Sequence, residues 1–181
     1  PVHIIGNGAR IFCKQETGFC DMIRIHNTAH TTLIDDVNFM YWISSVQLAD
    51  NDKIGIKVEC HNFQLLNSTV DGAGWGVVLD NEDETYNLNA PFIFNCWIRN
   101  TRRVGLYIKG IDASGLTAIA LKTLVTQNHF SAINGFGPAI AIYDACANGT
   151  THVGGLVEVS DEGVVMQPRG GVAPSTWVGQ Y

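Results

Sequence analysis

The feature that most limits what this chain can fold into is a repeat. Four runs lie under one another: residues 34–39 (IDDVNF), 65–70 (LLNSTV), 93–98 (IFNCWI) and 125–130 (VTQNHF). Each begins and ends on an apolar residue and carries an amide or carboxylate at its third position: Asp36, Asn67, Asn95 and Gln127. Further along, a second set aligns: 45–48 (SVQL), 76–79 (GVVL), 105–108 (GLYI) and 139–142 (AIAI). The starts of this set, Ser45, Gly76, Gly105 and Ala139, are 31, 29 and 34 residues apart. A period in this range marks a stacked architecture, in which no single unit can bury its apolar face alone.

The units read as strands. Val46/Leu48, Val77/Leu79, Leu106/Ile108 and Ile140/Ile142 alternate with variable residues, the period of two expected where one face is buried. A small residue precedes each pair, as a tight corner requires. A third set, 22–25 (MIRI), 55–58 (GIKV) and 118–121 (AIAL), lies upstream, so each repeat holds three short strands. No window spaces apolar residues at three and four, which excludes a helical solenoid. The pattern fits an all-β, single-stranded parallel β-helix, a solenoid of about four to five rungs stacked roughly 4.8 Å apart. Asp36, Asn67, Asn95 and Gln127 then form a polar ladder at a bend, each bonding its neighbours above and below. Residues 1–145 make the stack. Residues 146–181 break the period: 155–159 and 164–166 read as a hairpin about 160–163, and the tail from Pro168 as extended.

Composition narrows the function classes. A net charge of −6 without a basic stripe argues against nucleic acid. No apolar run reaches the roughly 18 residues of a membrane span, and no signal peptide is visible. The five cysteines, Cys13, Cys20, Cys60, Cys96 and Cys146, are odd in number and lack metal-ligand spacing, so they read as reduced thiols. His3, His26 and His30 share no ligand spacing, and no cofactor is expected. The densest charge is in residues 80–87 (DNEDETYN), with four carboxylates among Asp80, Glu82, Asp83 and Glu84. A solvated loop, a calcium site and half of an acid pair for glycoside cleavage all fit it.

If Val77 and Leu79 point inward, the outward columns are Gln47/Val78/Tyr107/Ala141, Ala49/Asp80/Lys109/Tyr143 and Asn38/Thr69/Trp97/His129. Trp97 with His129, and Tyr107 beside Asp80 and Lys109, set flat apolar rings next to hydrogen-bonding groups. A sugar ring suits such a surface, packing its apolar face on the aromatic. Burial of Trp42, Trp75 and Trp97 under a loop or another chain is the alternative. For cleavage, Asp80 pairs with Glu82, Glu84 or Asp50.

The opening residues 4–12 (IIGNGARIF), with rungs of the form Gly-Ile-x-Val followed by an Asn-centred strand, resemble right-handed parallel β-helices of the pectate-lyase-like superfamily. Within it the chain looks most like bacteriophage tailspikes, over residues 1–145. The resemblance implies a virion tail protein, assembled in the host cytoplasm beside other virion proteins. It implies binding, and in some members depolymerising, of a bacterial surface polysaccharide; a non-catalytic adhesin or structural spike is the alternative. It also implies a homotrimer, with Trp177 and Tyr181 of the tail buried at the subunit interface. No catalytic motif carries over residue by residue, because this scaffold hosts hydrolases, lyases and plain adhesins alike.

Overall fold

The computed structural model describes residues 1–14, 21–42, 52–80, 88–109, 120–121, 124–132, 140–145, 151–158, 162–166 and 176–178. Among them there is no helix, and so none long and apolar enough to cross a membrane. The chain opens with β1 (Val2–Lys14), β2 (Ile23–Ile25) and β3 (Thr32–Trp42). Then come β4 (Ile54–Val58), β5 (Gln64–Leu66), β6 (Thr69–Asp71) and, a turn later, β7 (Trp75–Leu79), β8 (Leu88–Asn89), β9 (Phe92–Phe94) and β10 (Trp97–Thr101). The rest is β11 (Val104–Ile108), β12 (Ala120–Leu121), β13 (Leu124–Ala132), β14 (Ile140–Asp144), β15 (Thr151–Glu158), β16 (Glu162–Met166) and β17 (Thr176–Val178).

Every pairing among these strands is parallel. One six-stranded sheet runs β2, β4, β7, β11, β14, β16 in sequence order; a nine-stranded sheet takes most of the others, and β8 pairs with β12 alone. The chain therefore passes from the first sheet to the second and back, and each pass adds a strand next to the previous one.

Alternation and stacking together build the core. Ile34, Leu65 and Ile93 fall in register and are fully buried. So do Phe39, Val70 and Ile98, and in the facing sheet Ile56, Val77, Leu106 and Ile142. Each such side chain contributes about 1.5–3 kcal/mol by leaving water. Among the described cysteines, Cys13, Cys60 and Cys96 are reduced thiols buried in this core.

Four expectations change. Ile140 faces Val104, so Ile142 rather than Ile140 joins the Val77/Leu106 column; Val46 lies outside the described residues. A two-residue slip leaves every side chain on the same face, so alternation alone cannot detect it. Residues 22–25 and 55–58 do not form a separate strand set: β2 and β4 belong to the same sheet as β7 and β11. Nor do the glycines sit at corners. A Cβ on Gly76 would come 2.4 Å from the Gly105 carbonyl oxygen on the neighbouring strand and 2.6 Å from Ile98 Cγ2 of the facing sheet, so glycine is required by close approach on both sides. Finally, β15 and β16 make no hairpin. β15 lies parallel to β13 and β17, while β16 lies parallel to β14 in the other sheet. Glu162 and Gly163, expected in the turn, already belong to β16, and residues 159–161 lie outside the described residues.

The bend column is present, with a different cause. Register aligns Asp36, Asn67, Asn95, Gln127 and Gly154. Asp36, Asn67, Asn95 and Gly154 have positive φ, between 47° and 58°. Left-handed backbone disfavours most L-residues but admits Asn, Asp and Gly. The ladder of amides is exposed rather than buried: Asn95 Nδ2 donates to Asn67 Oδ1 at 2.8 Å, and Asn67 Nδ2 donates to Asp35 Oδ1, not Asp36, at 2.9 Å. Inside the same bend, Val37 N–H donates to Ser68 Oγ and Ser68 Oγ–H to the Leu66 carbonyl.

Candidate functional site

The stacking that builds the core also fixes what lies outside it. On the six-stranded sheet, Lys57, Val78, Tyr107 and Tyr143 share a column. Tyr143 stands where Ala141 was expected, through the same slip in register, and Gln47 lies outside the described residues. Trp75 meets Tyr107 edge-on with ring centroids 5.7 Å apart, and Tyr107 leans on Tyr143 at 5.6 Å. One step along, Lys109 Nζ lies 2.9 Å from Asp80 Oδ1. The expected grouping of Tyr107, Asp80 and Lys109 is thus real, since β7 and β11 are neighbours and these residues close their strands on one side.

Sequence reasoning missed the charged neighbours below. Glu59 follows β4 as Asp80 follows β7, and Glu59 is almost fully buried. Arg24 grips it with Nε 3.0 Å from Oε2 and Nη2 2.6 Å from Oε1, while Lys57 Nζ stands 3.7 Å from Oε1. The only hint was the alternation of charge in IRI and IKVE, which binary patterning treats as solvent-facing. A carboxylate this buried and this neutralised serves the fold and is not exposed for acid–base work.

The nine-stranded sheet carries the other expected group. Trp97 stands in register with Thr69 and Asn38 on one side and with His129 on the other, as read from the sequence. Trp97 keeps 43% of its surface exposed. The Arg99 guanidinium sits 4.3 Å from its ring centroid, a cation–π contact. Arg99 is held there by Asp71 through Nε and Nη2, both at 3.0 Å, and Asn100 Nδ2 donates to the second oxygen of Asp71 at 2.7 Å. An exposed ring therefore stands beside a charged hydrogen-bond network in which two Arg99 nitrogens share Asp71 Oδ2 and Asn100 holds Oδ1.

The structure divides the expected site. Asp80, Lys109 and Tyr107 belong to the outer side of one sheet, Trp97 and His129 to the other sheet. Glu82, Glu84 and Asp50 lie outside the described residues, and so do the acid pairs built on them. Among described residues no cluster of three or more His, Cys, Asp or Glu could hold a metal ion. Histidines that looked scattered are in part brought together: His30 and His61 stack on adjacent turns at 5.7 Å. At Cys60 and Cys96 burial pushes the thiols up, Cys96 to about 12, which makes them inert rather than nucleophilic. No family model matches the chain, and neither a curated protein nor a solved structure matches it.

Proposed function

We propose that the stacked sheets are the coils of a right-handed parallel β-helix, and that the chain is a tailspike-like protein binding a bacterial surface polysaccharide. The hand rests on the rule that crossovers between parallel strands of one sheet are right-handed in about 98% of cases. The carrying observation is Trp97, exposed on the flank of the stack and clamped beside Arg99, Asp71 and Asn100. A sugar packs its C–H face on such a ring while the guanidinium, carboxylate and amide meet its hydroxyls. Tyr107, Tyr143 and the Asp80–Lys109 pair give a second strip of the same chemistry. In this reading the protein resides in the virion tail, three copies pack side by side, and no nucleic acid, membrane or cofactor takes part.

Among the described residues the carboxylates favour binding over cleavage. Asp71, Glu59 and Asp80 are each held by a cation, whereas hydrolysis needs one free base or nucleophile and one protonated acid. The test is a panel of purified capsular and O-antigen polysaccharides with tryptophan fluorescence as readout. Trp97→Ala is expected to lose binding and keep the fold. Binding unchanged in Trp97→Ala moves the site to the Tyr107 strip, and no binding by the wild type to any glycan leaves the structural-spike reading. New reducing ends or unsaturated uronates, lost in Asp80→Asn, Glu82→Gln and Glu84→Gln, would establish a depolymerase instead.

A further inference from the structure

Among the described residues eight large apolar side chains are exposed, and their placement is uneven. Val2, Ile5, Ile11 and Phe12 lie on β1; Leu156, Val164 and Val178 lie on β15, β16 and β17. Only Trp97 lies elsewhere. The first strand of the stack and the last three thus carry seven of the eight.

Three of these residues occupy interior positions. Ile11 is in register with Phe39, and through it with Val70 and Ile98. Those three are buried to 1% or less, yet Ile11 is 41% exposed. Val2 stands opposite Thr32, which is 1% exposed, and is itself 45% exposed. At the far end Val164 continues the column of Val77, Leu106 and Ile142, all 0% exposed, and is 36% exposed. Among the described residues these apolar columns are exposed at both ends. The backbone does the same, because among the described residues no strand lies beyond β1 and β2 on one side or β16 and β17 on the other. Such an edge pairs with any strand that can reach it.

From this we infer that the two ends bind each other, joining copies of this chain head to tail along the stacking direction. Strand direction selects that partner over a like-to-like pairing. All strands of each sheet run the same way, so a copy displaced along the stack presents β1 to the β15–β17 edge in parallel, as at every junction inside the molecule. Two β1 edges meeting across a two-fold axis would run antiparallel, a geometry used nowhere among the described strands. Register also suits the junction: Ile4 falls in the column that ends at Trp177, and Ile11 in the column that ends at Val157. A heterologous contact of this kind does not close on itself, and it yields an open series of assemblies. The surface is independent of the glycan reading and of side-by-side packing.

Sedimentation velocity over a wide range of concentration reads the outcome. The wild type is expected to show masses that keep growing with concentration. Ile11→Lys, which blocks the first end, and Val164→Lys, which blocks the last, should each weaken this growth by more than about tenfold, since either buries an unpaired charge at the junction. Mixing the two variants should restore a single junction between one good end of each, with no further growth. Circular dichroism checks that both fold; if Ile11→Lys does not, Ile5→Lys, at a 61% exposed position on the same strand, replaces it. A mass independent of concentration, monomer or closed trimer, overturns the inference. So does self-association of Val164→Lys at wild-type strength, which would mean like ends pairing.

Discussion

Between β4 and β11 two of the interior columns are hydrocarbon throughout; further along the chain they are not. Val58, Leu79 and Ile108 are succeeded in their column by Asp144, and Ile34, Leu65 and Ile93 are succeeded, through Val125, by His152. Both side chains are fully buried, with His152 Nε2 3.6 Å from Asp144 Oδ2. They come from different sheets and meet across the core. The difference teaches how register is fixed. Hydrocarbon tolerates a two-residue slip, because parity is kept, and the alignment of Ile140 with Leu106 read from the sequence is such a slip. In that register Asp144 would pass beyond the end of the Ile108 column and away from His152. The polar pair therefore discriminates between registers that the apolar columns accept equally.

The sharpest way to break the comparison is to put a lone charge where the columns are unbroken. Leu106→Asp loses the buried leucine, about 2–5 kcal/mol, and adds an uncompensated buried charge, about 3–5 kcal/mol. The sum is comparable to the whole stability of a domain, so no cooperative unfolding transition is expected by circular dichroism. A folded Leu106→Asp would mean that the middle of the stack is as tolerant as its last turns.

Next is the pair itself. Asp144→Leu alone is expected to cost about 3–5 kcal/mol, and so is His152→Leu. The double replacement should return to within about 1 kcal/mol of wild type, because it converts the turn to the hydrocarbon of the turns before it. Urea titrations of the four proteins measure the coupling; additive losses would show that the two residues act separately.

Cys96 offers a smaller, pH-dependent probe of the unbroken region. Burial raises its thiol to about 12 in the folded chain, while an unfolded thiol ionises near 8.5–9. Between those values the unfolded state has released a proton that the folded state keeps, so stability falls as pH rises. The loss is about 1.4 kcal/mol per pH unit, up to about 4 kcal/mol near pH 12, and is absent below pH 8. Comparing the pH slope of wild type with that of Cys96→Ala isolates it; equal slopes would mean that the thiol reaches water.

The smallest effect is expected at the bend. Asn95→Leu should cost about 1–2 kcal/mol, mainly because leucine lacks the short polar side chain that lets asparagine adopt left-handed backbone, here at φ 51°. Asn95→Gly should cost a few tenths, since it loses only an exposed hydrogen bond to Asn67. If glycine were as costly as leucine, the amide ladder rather than the backbone would hold the bend.

By itself the sequence determined that this chain is all-β and built of repeating strands that pair in parallel. Alternation at period two within a repeat near thirty residues has few other solutions, and it placed Ile34, Leu65, Ile93, Val77 and Leu106 in the core. It also found the Asp36/Asn67/Asn95 column and the outward Trp97, because in-register stacking turns sequence alignment directly into spatial neighbourhood. The tertiary structure decided what alignment leaves degenerate. It set the register of β14, sent β15 and β16 to different sheets, and required glycine at Gly76 for close approach rather than for a corner. It brought Arg24 to Glu59, Asp71 to Arg99 and Asp144 to His152, each across a distance in sequence or a sheet boundary that no local pattern encodes. The physical reason is common to all of these: a period of two records which side a residue faces, while the partner on that side is chosen by packing between turns that lie far apart in the chain.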